Sequence, residues 1–230
     1  EADSDDQSYG RARVVGTDPS FVGSYGQRPS MVYTQTIDGL LHAFVLSKND
    51  YTVGGSPEFN KPPAAVTGDN NELWSFLPPA VIPELWGQFN QHSRMLDGQL
   101  AWANVVYDRD AENINDVNWK YKTVLVGASG VTTHGKGFYY ALDVTDPFEP
   151  KFLWQLRTAG DNDGEPKLNG ELFGNHTPGA AIATIRYLDP NTGFTRNKAV
   201  AILPGGTPTS GPHFGHNHRT DRRNRDNWIG

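Results

Sequence analysis

One hairpin is written twice along this chain, and that repetition limits the fold more than any other feature. The first copy is Asp38-Gly39-Leu40-Leu41-His42-Ala43-Phe44, followed after a long insertion by Glu72-Leu73-Trp74-Ser75-Phe76. The second is Gly137-Phe138-Tyr139-Tyr140-Ala141-Leu142-Asp143, followed by Lys151-Phe152-Leu153-Trp154-Gln155. In each, a Gly opens a strand, a small Ala sits among large apolar residues, and a Trp marks the next strand. Sheets that crowd together face to face need a small residue where they approach, and a Trp to cover the hairpin against its neighbour. Repeats of this size are the mark of propellers and solenoids.

The remaining apolar residues agree with that reading. They fall in short runs of β-branched and aromatic residues bounded by Gly, Pro, Asn and Asp, the signature of strands. The runs are 31–36, 40–46, 72–77, 100–107, 121–127, 137–144, 151–156, 180–187 and 198–203. Helical periodicity is confined to 82–89, with Pro83 in the first turn, where a missing N–H costs little. Asp143-Val144-Thr145-Asp146-Pro147 reads as a turn, with Pro147 preset for a bend. The strands at 100–107 and 121–127 lead into the second hairpin and make a set of four. The set before it is led by 31–36, and by 13–16 if that run is a strand. The set after Trp154 stops at two. The expected fold is therefore all-β: a β-propeller of four-stranded antiparallel blades, of which this chain supplies about two and a half. That is too few to close a ring, so the open edges need cover from other polypeptide. Residues 1–27 read as a lead-in segment, 28–206 as the partial propeller and 207–230 as an irregular basic tail.

Composition narrows the function. A formal charge of −6 argues against a nucleic-acid surface, which carries a basic excess. No apolar run is long enough to span a bilayer. Six Trp, nine Tyr and eleven Phe supply a sizeable core. With no Cys there are no disulfides or thiolate metal sites, which leaves the compartment open. The stretch Glu1-Ala2-Asp3-Ser4-Asp5-Asp6 has no signal-peptide pattern and reads as an internal start or the mature end of a precursor.

Few residues carry recognisable chemistry. Asp161-Asn162-Asp163-Gly164-Glu165 offers alternating oxygens suited to calcium through Asp161, Asp163 and Glu165. The EF-hand spacing fails there, because Gly164 and Pro166 fall at the wrong places, and the same residues also make a solvated turn. Asp108-Arg109-Asp110 is a weaker candidate of the same kind. His213, His216 and His218 have a borderline-metal chemistry but no carboxylate or thiolate at a known spacing. The neighbouring Arg219, Arg222, Arg223 and Arg225 repel a cation and suit an acidic partner, a membrane surface or plain solvation. His42, between Leu41 and Ala43, reads as a partner-satisfied core histidine and not a catalytic one. Asn175-His176-Thr177 matches a glycosylation sequon. Gly205-Gly206 lacks the Lys-Ser/Thr of a phosphate loop, and neither a nucleophile elbow nor a metalloprotease helix occurs.

In order along the chain stand Arg28-Pro29-Ser30-Met31-Val32-Tyr33, Asp38-Gly39-Leu40-Leu41-His42-Ala43-Phe44, Glu72-Leu73-Trp74-Ser75-Phe76-Leu77-Pro78, Asp97-Gly98, and Lys122-Thr123-Val124-Leu125-Val126-Gly127. After them come Gly135 through Pro147 and Leu172-Phe173-Gly174 through Pro178. This ordered set, over about residues 28–206, resembles the propeller domain of the PilC/PilY family of type IV pilus tip and assembly proteins. The turn at Ile37-Asp38-Gly39 lacks the family's Asn, and the tail after Gly206 matches no family block. The resemblance implies a non-enzymatic protein, outside the cell at the pilus tip or outer surface, that promotes pilus assembly against retraction and adheres to host or abiotic surfaces. It implies minor pilins and the rest of the same propeller as partners, and twitching motility as the affected behaviour. Some members carry a calcium loop. Quinoprotein dehydrogenases use the same Ala-Leu-Asp turn and Trp, so a fragment of a pyrroloquinoline-quinone enzyme is the alternative, and a scaffold that only docks minor pilins is another.

Overall fold

The computed structural model describes residues 28–46, 71–86, 93–108, 120–132, 137–157, 173–188, 190, 193 and 195–205. Among them, nine strands form three antiparallel sheets. The first sheet is β1 (Met31–Gln35), β2 (Leu41–Val45) and β3 (Glu72–Phe76), and the middle sheet is β4 (Leu100–Asp108), β5 (Lys120–Ala128), β6 (Phe138–Asp143) and β7 (Lys151–Arg157). The third is β8 (Ala181–Leu188) with β9 (Thr195–Ile202). In each sheet the strands lie side by side in chain order, each antiparallel to the next, even across the long connection between β2 and β3. No described sheet closes on itself.

The two hairpins are copies in register as well as in sequence. Ala43 lies opposite Trp74, and Ala141 lies opposite Trp154. Both pairings slip by one residue immediately afterwards, at Ala43/Phe44 and Ala141/Leu142. Such a bulge increases the local twist and re-aims the side chains beyond it. The opening glycines are fixed by space. Gly39 adopts φ +99°, and a Cβ there would lie 2.5 Å from Val81 Cγ1. A Cβ on Gly137 would lie 2.2 Å from the Gly174 carbonyl oxygen, which accepts the Gly137 N–H at 3.1 Å.

Side-chain alternation sends the middle sheet's residues to two cores. One face, with Leu125, Phe138, Tyr140 and Leu142, packs against Leu41, Tyr33, Trp74 and Phe76 of the first sheet, joined by Val81, Met95 and Leu96. The other, with Val126, Ala128, Tyr139 and Ala141, packs with Phe173, Ile182, Ala201 and Leu203 around the third sheet. Consequently every residue of β6 is buried. At the helix expected over 82–89, a 3-10 turn Pro79–Val81 runs into α1 (Ile82–Leu85), with Pro83 at its start, and residues 87–89 lie outside the described residues. Ala80 and Val81 are the buried residues of the 3-10 turn, whereas Ile82 is 55% exposed.

Candidate functional site

The polar groups that join the sheets are built from the turn after β6. Thr145 donates its backbone N–H (3.0 Å) and its hydroxyl (2.6 Å) to Asp143 Oδ1, while Lys122 Nζ lies 2.8 Å from Oδ2. Burial alone would raise the Asp143 carboxyl. The hydrogen bonds from Lys122 and Thr145, with the charge of Lys122, outweigh burial and hold it below the usual carboxylate range. The Thr145 hydroxyl accepts the Thr123 N–H at 2.9 Å. Thr123 in turn donates its hydroxyl to Asn104 Oδ1 at 2.6 Å. Arg28, from the segment leading into β1, closes the chain by donating to Thr123 Oγ1 at 2.8 Å and to the Thr145 carbonyl at 3.1 Å.

Aromatic side chains make the other cross-sheet ties. Trp74 Nε1–H donates to the Pro147 carbonyl at 2.7 Å, so the repeat's Trp docks its sheet on the turn of the next. Gln35 Nε2 donates to the Tyr140 hydroxyl at 3.0 Å, and burial pushes that phenol far above its ordinary value. The Tyr139 hydroxyl lies 2.9 Å from the Pro178 carbonyl and 2.8 Å from the Pro204 carbonyl, on the chain entering β8 and the chain leaving β9. Burial raises Tyr139 to about 12.

Two faces remain without a neighbouring sheet among the described residues. On the first sheet, the cross-strand pairs Val32 with Phe44, Thr34 with His42, and His42 with Ser75 share the outer face. His42 Nδ1 lies 2.6 Å from Glu72 Oε1, and its Nε2 lies 3.4 Å from Thr36 Oγ1, which also bonds Asp38. A hydroxyl, an imidazole and a carboxylate in line resemble an acyl-transfer relay. Here the Thr36 proton has two other acceptors, the Asp38 carboxylate and the Leu40 carbonyl at 3.1 Å, so the arrangement serves to orient a surface histidine. His42 thus has its partner, as the sequence suggests, but it lies on the outer face and not in the expected core position. On the third sheet the outer face carries Ala181, Ala183, Ile185, Val200 and Ile202. Ile185 is 42% exposed and Ile202 44%.

The calcium candidates Asp161, Asp163 and Glu165 lie outside the described residues, as do Arg109, Asp110, His213, His216, His218 and the tail arginines. Among the described residues no group of three His, Cys, Asp or Glu side chains is placed to hold a metal. In the sequon, Thr177 is buried and its hydroxyl bonds Ser129 at 2.8 Å and the Gly130 N–H at 2.9 Å, which is a structural role. Gly205 accepts the Gly174 N–H through its carbonyl. Sequence reasoning missed Arg28 as the tie across sheets, since a lone Arg before a Pro carries no local signal of its partners. No described helix is long and apolar enough to cross a membrane.

No family model matches the chain. It is similar to the type IV pilus biogenesis factor PilY1 homolog of Xylella fastidiosa, with 32% identity over 148 residues, 63% of this chain and 9% of that protein. It is also similar to the type IV pilus biogenesis factor PilY1 of Pseudomonas aeruginosa, with 28% identity over 155 residues, 66% of this chain and 10% of that protein. The chain therefore spans about a tenth of the length of these relatives. Among solved structures, the PilY1 C-terminal domain of Pseudomonas aeruginosa covers 80% of this chain and 30% of its own, at 20% identity and a TM-score of 0.42. The likeness read from the ordered sequence blocks holds in these relatives.

Proposed function

We propose, from the premise that this chain is of PilY1 type across the region its relatives match, that it is a non-enzymatic docking module of a type IV pilus biogenesis factor. The observation that carries this reading is the sequence similarity to proteins of that name over roughly two-thirds of the chain. The architecture supports the manner of action. Three sheets stacked face to face, with a hairpin that repeats in register, are the expected build of consecutive propeller blades. The two outer faces that have no neighbouring sheet among the described residues are where further blades belong. In this reading the assembled propeller sits outside the cell at the pilus tip, meets minor pilins, and adheres to surfaces through its loops.

The test is deletion of the full gene, scored for surface pili with the retraction motor intact and disabled. Loss of pili that returns when retraction is blocked is the expected result. Normal pili with normal attachment would overturn the reading. Redox turnover of an alcohol or sugar on adding pyrroloquinoline quinone and calcium would overturn its non-enzymatic part.

A further inference from the structure

We propose that the turn between β1 and β2 holds a divalent transition-metal ion of the zinc class. Its ligands are His42 Nε2 and the Asp38 carboxylate, with the Thr36 hydroxyl oxygen between them. The site is separate in sequence from the calcium candidates Asp161, Asp163 and Glu165, and it is independent of the pilus reading.

The backbone fixes the turn. The Thr36 N–H donates to the Leu40 carbonyl and the Gly39 N–H to the Thr36 carbonyl, both at 2.9 Å. The Ile37 carbonyl accepts the Met95 N–H at 3.0 Å, and Gly39, at φ +99°, lies against Val81 and Met95. Thr36 and Asp38 therefore sit on a loop anchored in the core, as pre-organised ligands require.

His42 is oriented from the opposite side. Its Nδ1 lies 2.6 Å from Glu72 Oε1, so in the neutral ring the proton is on Nδ1 and the lone pair is on Nε2. A carboxylate on the far nitrogen is the usual outer partner of a metal-ligating histidine, because it fixes the ring and raises its basicity. Nε2 faces Thr36 Oγ1 at 3.4 Å, and that hydroxyl also bonds Asp38 Oδ1 and reaches the Leu40 carbonyl at 3.1 Å. One hydroxyl proton thus faces three acceptors. With the proton turned to the Leu40 carbonyl, a cation satisfies the imidazole and the carboxylate and takes the hydroxyl oxygen as a further donor. An ion about 2.1 Å from both Nε2 and Oγ1 would see them at about 110°, near the tetrahedral angle. The imidazole selects a zinc-class ion over the hard calcium and magnesium ions. Among the described residues no three His, Cys, Asp or Glu side chains converge on a metal, so here a hydroxyl is the third donor. Asp38 is exposed, which leaves water to complete the shell.

The test is zinc chloride titrated into the full 230-residue chain, followed by NMR of the histidine ring nitrogens. Saturable movement of the His42 Nε2 signal is expected, with Nδ1 still protonated, and calcium chloride should leave both in place. Asp38→Asn and Glu72→Ala should each weaken binding by about tenfold. Ser75→Ala, opposite His42 on the same face but outside the ligand set, should leave it unchanged. A fixed Nε2 signal in the wild-type chain, an equal response to calcium, or movement of Nδ1 in place of Nε2 would each overturn the proposal. Full affinity in Asp38→Asn, or equal loss in Ser75→Ala, would do the same.

Discussion

The middle sheet and its two neighbours are made from the same strand pattern, yet they live in different surroundings. Every residue of β6 is buried, because one face meets the first sheet and the other meets the third. β2 occupies the same place in the first sheet, and its burial alternates, with Leu41, Ala43 and Val45 inside and His42 and Phe44 half exposed. Alignment at the shared alanine sets His42 against Tyr140. One is a histidine held by a carboxylate at 2.6 Å, the other a buried phenol that accepts from Gln35. The sequence of a repeat therefore reports how many neighbours each copy has: two-sided burial demands apolar residues throughout, and one-sided burial tolerates alternation.

The comparison breaks most readily at Tyr140. Replacing it with Ala should cost about 4 kcal/mol in urea denaturation, the range for a large buried aromatic. The matching His42→Ala should cost about 1 kcal/mol or less, since it loses a half-exposed pair. Equal costs would mean that the first sheet's outer face is as well covered as the middle sheet.

Ala141→Leu sharpens the same contrast through packing. The residue is fully buried opposite Trp154, so overpacking should destabilise by about 2 kcal/mol. Tolerance of the larger side chain would deny that close approach of the sheets selects the alanine.

Trp74→Phe keeps an aromatic side chain but removes the N–H that reaches Pro147 and part of the packed indole, and about 2 kcal/mol is expected. The dependence on pH follows from Asp143. Its folded carboxyl lies below the ordinary range, so it stabilises the fold above the unfolded value, and that contribution is lost as pH falls through the folded one. Acid titration of the melting temperature should therefore flatten in Asp143→Asn, while the wild-type chain weakens steadily below the usual carboxylate range. An unchanged profile would mean that Lys122 and Thr145 do not hold the carboxylate.

Much of this was legible in the residues. All nine strands fall where runs of β-branched and aromatic residues place them, and the equivalence of Ala43 with Ala141 and of Trp74 with Trp154 follows from the repeated pattern. The exposure of Ile82 was not legible, because it has a core residue's chemistry but points to solvent beside buried Val81. The outward direction of His42 also escaped the sequence: flanking apolar residues suggest a core position, while alternation along a strand puts the middle residue on the opposite face. Partners distant in sequence, such as Arg28 with Thr123 and Thr145, leave no local pattern to read.

The most direct test of an open stack is amide hydrogen exchange on the full chain, resolved by strand. Open-ended stacking gives the slowest exchange in β5 and β6, with protection falling outward to β1 and to β9. Uniform protection across all three sheets, lost together in one sharp unfolding transition, would contradict it and mean that the chain is complete without further blades.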